Sequence, residues 1–403
     1  MAQSRCLRRL SLAWVLILLL FVPAPTSAQL DAPLIGPLLA FDTAAQDRIV
    51  IIDQGGGIQR TLSFGAAVHR VWGFSPDGCR LLFTLTDGTG DSELYTARLD
   101  GSDMRAPVRY GTLPAGEWSA WEPQWQPNNN RIAFTLVRRQ INADGSNARE
   151  YRIAWVSAEG GDPQYYSVSG DEHNARWSPD GAWLAYISFE QRVAGADMYA
   201  TAVPTPVGAA PAPMLREADL WVVSASGERK LRLTNFAVGS VGMPRWSPDG
   251  TLIGFVYSPA PNLDQFWMIA NAQDAIPTQL SSNWTLALDL TWLPDSTALL
   301  AAVRGMQSVT ENRLWMIPLV GGADTNARLY PPAEGIDPLL YADYPRFSPD
   351  GRWLALRAGY ALTLLDLGTL AARPVAGDTA YGNTPPVWSP AAFAGEAACA
   401  ASA

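Results

Sequence analysis

Short apolar runs, each cut off by Pro, Asp, Asn or Gly, follow one another along almost the whole chain. Leu38-Leu39-Ala40-Phe41, Arg48-Ile49-Val50-Ile51-Ile52 and Ile58-Gln59-Arg60-Thr61-Leu62 come first. Glu93-Leu94-Tyr95-Thr96 and Asp219-Leu220-Trp221-Val222-Val223 continue the pattern. Runs of this kind between turn residues read as β-strands. One unit recurs: an aromatic, then Ser-Pro-Asp-Gly, then an apolar run. The aromatic is Phe74, Trp177, Trp246 or Phe347, and the turn carboxylates are Asp77, Asp180, Asp249 and Asp350. Two copies are degenerate, at Trp125 and at Trp292 with Asp295, and a seventh, Trp388-Ser389-Pro390, stops there. The anchors are 51, 52, 69, 46, 55 and 41 residues apart.

The turn has a mechanism. Pro presets φ, Asp bonds its own backbone, and Gly accepts positive φ. Each unit therefore reads as strand A, a tight turn, strand B, a loop, strand C and strand D, the size of a propeller blade. The fold expected is all-β: a β-propeller of four-stranded antiparallel blades spanning residues 29–390. The first three strands have no strand A before them, and the strand ending at Trp388 has nothing after it. Joined, they complete one blade and remove two exposed edges. That gives seven blades, with six and ragged ends as the alternative.

An aromatic followed by Ser-Pro-Asp-Gly and a Leu/Ile-Ala-Phe-like strand resembles the WD-repeat-like propeller repeat of the TolB family, over residues ~37–390. The resemblance implies a scaffold at the cell envelope that binds a protein or peptide. TolB's separate N-terminal domain has no counterpart in this sequence.

The first 28 residues fit a signal peptide: Arg5, Arg8 and Arg9, the apolar run Leu12 to Val22, Pro23, then Thr26-Ser27-Ala28. An uncleaved anchor is the alternative. The whole chain has 29 basic and 38 acidic residues and a net charge of −9. Loss of the leader's three arginines makes this about −12, which repels phosphate backbones and argues against nucleic acid. A cleaved leader leaves a monomeric, periplasmic or secreted protein that does not span the membrane. Between strands B and C of the Trp177 unit lies an insertion, residues 189–217, rich in Ala and Pro. Pro204, Pro206, Pro211 and Pro213 preclude a helix there, and a mobile arm is expected. The tail, residues 391–403, abandons the pattern and is expected to be disordered.

Candidate chemistry is sparse. The turn aspartates Asp77, Asp180, Asp249, Asp295 and Asp350 are explained by the turn itself. Arg176, Arg245 and Arg346 each precede an anchor aromatic. They line the channel and hold an anion, or they bond carbonyls and carboxylates between blades. With two His and no Gly-x-Ser-x-Gly, a serine hydrolase has no support. Asp171-Glu172-His173 is the best candidate for acid–base or metal work, against a plain solvated loop. Asp87-Gly88-Thr89-Gly90-Asp91 lacks the full calcium-loop pattern. No cofactor or metal site is expected. The D–A connections carry Trp118, Trp121, Asp171, Glu172, His173, Trp284, Tyr341 and Tyr344, aromatics beside carboxylates that suit a peptide, sugar or cationic ligand. They mark a candidate binding face at one mouth of the channel. The alternatives are a lyase- or lactonase-type enzyme and a sugar-binding ring. Cys6 leaves with the leader, so Cys79 and Cys399 remain, either as a disulfide clasping the ring or as free thiols.

Overall fold

The structure, a computed structural model, describes residues 33–65, 68–87, 91–114, 116–141, 147–166, 171–193, 214–236, 238–304, 312–319, 327–331, 341–375 and 384–399. The expected leader, residues 1–28, lies outside these, as do residues 194–213 of the insertion and residues 88–90 of the Asp87 loop. Among the described residues no helix is long and apolar enough to cross a membrane.

The chain is all-β and forms a β-propeller arrangement of small antiparallel sheets. Local chemistry starts each unit. In four copies the Ser hydroxyl donates to the Asp Oδ1, at 2.5 to 2.6 Å. That oxygen also accepts the N–H two residues on, from Cys79, Ala182, Thr251 and Arg352. The Gly N–H returns to the Ser carbonyl with φ near +70°, a conformation that other residues rarely adopt (Gly78 +76°, Gly181 +68°). All four motif residues are used within the turn, so strand B must fold back on strand A.

Four sheets have four strands and one has three. The Leu38–Asp42, Ile49–Asp53 and Ile58–Leu62 strands are joined by Val387–Trp388, with Leu39 opposite Trp388 and Ala40 opposite Val387. The two ends of the chain thus share one sheet. The seven, or six, separate sheets expected from the repeats are not seen as such. Five separate blade-sized sheets are present, and the sixth has eight strands. The reason is one parallel bridge between Ala218 and Ser240, which links the Glu172–Trp177 group of strands to the Ser240–Trp246 group.

The core lies between sheets, not within them. Leu38, Ile49 and Ile51 of the closing sheet pack on Val71, Leu81 and Phe83 of the next. At the other end, Trp353, Leu362 and Leu364 pack back on Leu39, Val50 and Ile52.

Two expectations are corrected. Part of the insertion is sheet: the Trp183–Val193 and Met214–Ser224 strands pair as far as Val193 opposite Met214. The segments 189–193 and 214–218 contain no proline, so they keep the N–H groups that the ladder needs. The tail is not disordered as far as Cys399. Phe393 is buried on Gly36 and Gly78, where an added Cβ would lie 2.6 Å from its ring. Glu396 takes both terminal nitrogens of Arg60, at 2.7 and 3.2 Å, and its N–H donates to the Leu34 carbonyl. Cys399 is disulfide-bonded to Cys79, with Cα atoms 5.5 Å apart. A short apolar anchor, an ion pair and a covalent bond order a segment whose Ala-rich composition suggests none of them.

Candidate functional site

In six units the innermost strand carries a register shift before its anchor, for example between Trp121 and Gln124, His173 and Arg176, Gly242 and Arg245, and Asp343 and Arg346. The bulged residues Glu122, Asn174, Met243 and Tyr344 have φ of +50° to +59°. A bulge re-aims the side chains that follow it, and here these include Arg176, Arg245 and Arg346. Each guanidinium donates to the carbonyl directly before it, at 2.7, 3.0 and 2.7 Å.

Asp289, which the sequence reading missed, bridges two of them: Oδ1 lies 2.9 Å from Arg245 and Oδ2 lies 2.7 Å from Arg346. It stands three residues before Trp292, where Tyr344 stands before Phe347, so repeat alignment could have found it. Arg176 faces Glu122 at 3.7 Å. Burial pushes Arg245 down to about 10, and Arg176 and Arg346 add to the effect. Burial alone would raise Asp289, but Arg346 and Arg245 outweigh it and hold the carboxyl below its usual range. Arginines that the sequence left between two roles are therefore engaged with carboxylates and carbonyls across neighbouring sheets. The anchor indoles lock the same seams. The N–H groups of Trp246, Trp292 and Trp388 donate to the carbonyls of Arg176, Arg245 and Arg346, at 2.9, 2.8 and 3.0 Å.

The candidate mouth residues are held mostly within their own sheets. Trp118 is half-buried, donates to the Pro114 carbonyl at 2.9 Å and lies under Arg138. Trp121 is 37% exposed, beside Tyr151 and Arg149. The Asp171 carbonyl accepts from Phe189 N–H. Glu172 is fully buried with Lys230 Nζ 3.5 Å away, while the next residue, His173, stacks on Phe189 at 4.9 Å. Alternation along the strand separates these two side chains. Among the described residues no group of three or more His, Cys, Asp or Glu could hold a metal. Trp284 is not a platform at the mouth. It is 1% exposed, bonded to Ser281 and edge-on to Trp315, because a ring this large fills the gap between sheets.

Tyr344 is half-buried under Arg357, which pairs with Asp343, and burial raises the Tyr344 hydroxyl. Tyr341 is 48% exposed and Tyr360, which the sequence reading missed, is 91% exposed. Gly359 N–H donates to the Tyr341 carbonyl, which places the two tyrosines on adjoining connections.

No protein-family model matches the chain. It is 22% identical over 145 residues to an uncharacterized protein, Atu1656, of Agrobacterium fabrum, covering 35% of this chain and 47% of that one. It is 27% identical over 135 residues to an uncharacterized peptidase, YuxL, of Bacillus subtilis, covering 34% of this chain and 17% of that one. The match thus spans less than half of either relative. Among solved structures the chain is similar to TolB from Acinetobacter baumannii, with a TM-score of 0.46, 14% identity and coverage of 88% and 83% of the two chains. It is also similar to an oligogalacturonate lyase from Vibrio parahaemolyticus, with a TM-score of 0.48, 13% identity and coverage of 85% and 86%.

Proposed function

We propose that this protein is an exported, non-enzymatic, seven-bladed propeller that holds a protein or peptide partner on the face away from its Ser-Pro-Asp-Gly turns. The observation that carries this reading is the pair Tyr341 and Tyr360. The turns join first and second strands. Tyr360 sits between the second and third strands of its sheet, and Tyr341 precedes the first, so both lie at the opposite end of the channel. Large rings kept in water beside the Asp343–Arg357 ion pair have the composition of a recognition patch.

The count of seven is supported by the apolar clusters, one between each consecutive pair of strand groups when the eight-stranded sheet is divided at its single bridge. Export is supported by the leader-like first 28 residues and by the disulfide, which persists in an oxidising compartment such as the periplasm or the extracellular space. Closure by the chain's own ends suits a monomer.

The test is capture from an envelope fraction with the intact mature protein and with a Tyr341→Ser, Tyr360→Ser variant. A partner retained by the first and lost by the second, at unchanged melting temperature, is the expected result. Identical capture by both contradicts the reading.

A further inference from the structure

The innermost strands leave space on the channel axis. Where five of them end beside the Ser-Pro-Asp-Gly turns, they line a solvent-open cavity of about 560 Å3. The repeat shows why it is open. The residue before the anchor aromatic is Arg176, Arg245 or Arg346 in three units but Gly73 in the unit of Phe74. A Cβ added to Gly73 would meet no atom within 4 Å.

The walls are aromatic, with Trp72, Trp125, Trp177, Phe347 and Trp388 among them. Among the described lining residues Arg346 is the one charged side chain, in a protein whose net charge is −9. Its bonds to the Pro345 carbonyl and Asp289 leave further guanidinium donors. The same wall holds two buried indole N–H groups, of Trp125 and Trp177, with no acceptor among the described residues, unlike those of Trp246, Trp292 and Trp388. A larger cleft of about 760 Å3 lies beside the tail. Two of its three arginines are already paired, Arg80 with Asp103 at 2.7 Å and Arg105 with Glu159 at 2.6 Å.

We propose that the axial cavity binds a carboxylate carried on an aromatic or large apolar body. The carboxylate sits on Arg346, and the body lies against the tryptophans. An apolar pocket with few convergent polar groups selects ligands of this kind, and the volume is in the range such sites use. The carboxylate belongs either to a free small acid or to the C-terminal residue of a peptide. The inference does not depend on the partner face proposed above, which lies at the other end of the channel.

Isothermal titration of the intact protein with 3-phenylpropionate, its amide, the peptide Ala-Ala-Phe and that peptide's C-terminal amide tests it. At about millimolar concentration the acids are expected to bind and each amide to bind roughly tenfold more weakly or not at all. Binding of 3-phenylpropionate alone identifies a small acid, and equal or tighter binding of the free peptide identifies a chain terminus. Arg346→Gln should weaken the acid roughly tenfold or more. Because that change also removes a partner of Asp289, Gly73→Phe is the independent variant. It fills the open space and should abolish binding while the melting temperature holds. No binding of either acid, equal binding of acid and amide, or binding undisturbed by Gly73→Phe overturns the proposal.

Discussion

The indole N–H of Trp388 donates to the backbone carbonyl of Arg346 at 3.0 Å, tying the strand that closes the ring to the sheet before it. Trp388→Phe keeps most of the ring and deletes the donor. It should cost about 0.5–1.5 kcal/mol in urea unfolding, the net worth of one hydrogen bond. Trp388→Ala should cost about 3–5 kcal/mol through the added cavity. Equal stability of the Phe variant and the parent would show that the seam is held by packing alone.

The disulfide between Cys79 and Cys399 spans 320 residues. In the chain-entropy account a loop of that size is worth roughly 5–6 kcal/mol, with less realised where the unfolded chain retains structure. Cys399→Ser should therefore lower stability by about 2–5 kcal/mol. Mass spectrometry of the non-reduced protein should recover a linked Cys79–Cys399 peptide.

Much of the fold was legible because its determinants are local. Ser178, Asp180 and Gly181 bond among themselves and Pro179 presets φ, so four letters specify a turn and its repetition specifies a blade. The closing pair Leu39 and Trp388 followed from counting strands at the two ends. The site was less legible because its partners are remote. Asp289 meets Arg245 from 44 residues away, and no local pattern marks that meeting. Trp284 looked like a loop aromatic because sequence position does not reveal which way a ring turns. The tail was misread because one Phe, one Glu and one Cys outweigh its alanines only once their partners Gly78, Arg60 and Cys79 are in place.

Glu396 and Arg60 give a second handle on the tail. The Arg60 side chain is 3% exposed, so Glu396→Ala would leave a buried cation without its carboxylate. Loss of about 3–5 kcal/mol is expected. Glu396→Gln, which keeps an acceptor, should cost less. Urea unfolding of both variants separates the charge from the hydrogen bonds.

Asp42 should make stability fall with rising pH. Burial pushes its carboxyl up to about 7, with Arg70 nearby and the Thr384 hydroxyl donating to it. Below about 3.8 both folded and unfolded states hold the proton and the contribution is complete. Between there and about 7 the unfolded state ionises first, and stability is lost. Asp42→Asn should show a melting-temperature advantage over the parent that grows across this window and levels off above it. A pH-independent difference would contradict the assignment.

The measurement that tests the account most directly is site-specific photo-crosslinking in an intact envelope preparation, with the probe placed in turn at Tyr360, at Tyr341 and, as control, at Asp249 on the opposite face. A partner of defined mass joined from Tyr360 and Tyr341 but not from Asp249 is predicted. The same adducts from all three positions, or adducts from Asp249 alone, would contradict a partner-binding face at that end of the channel.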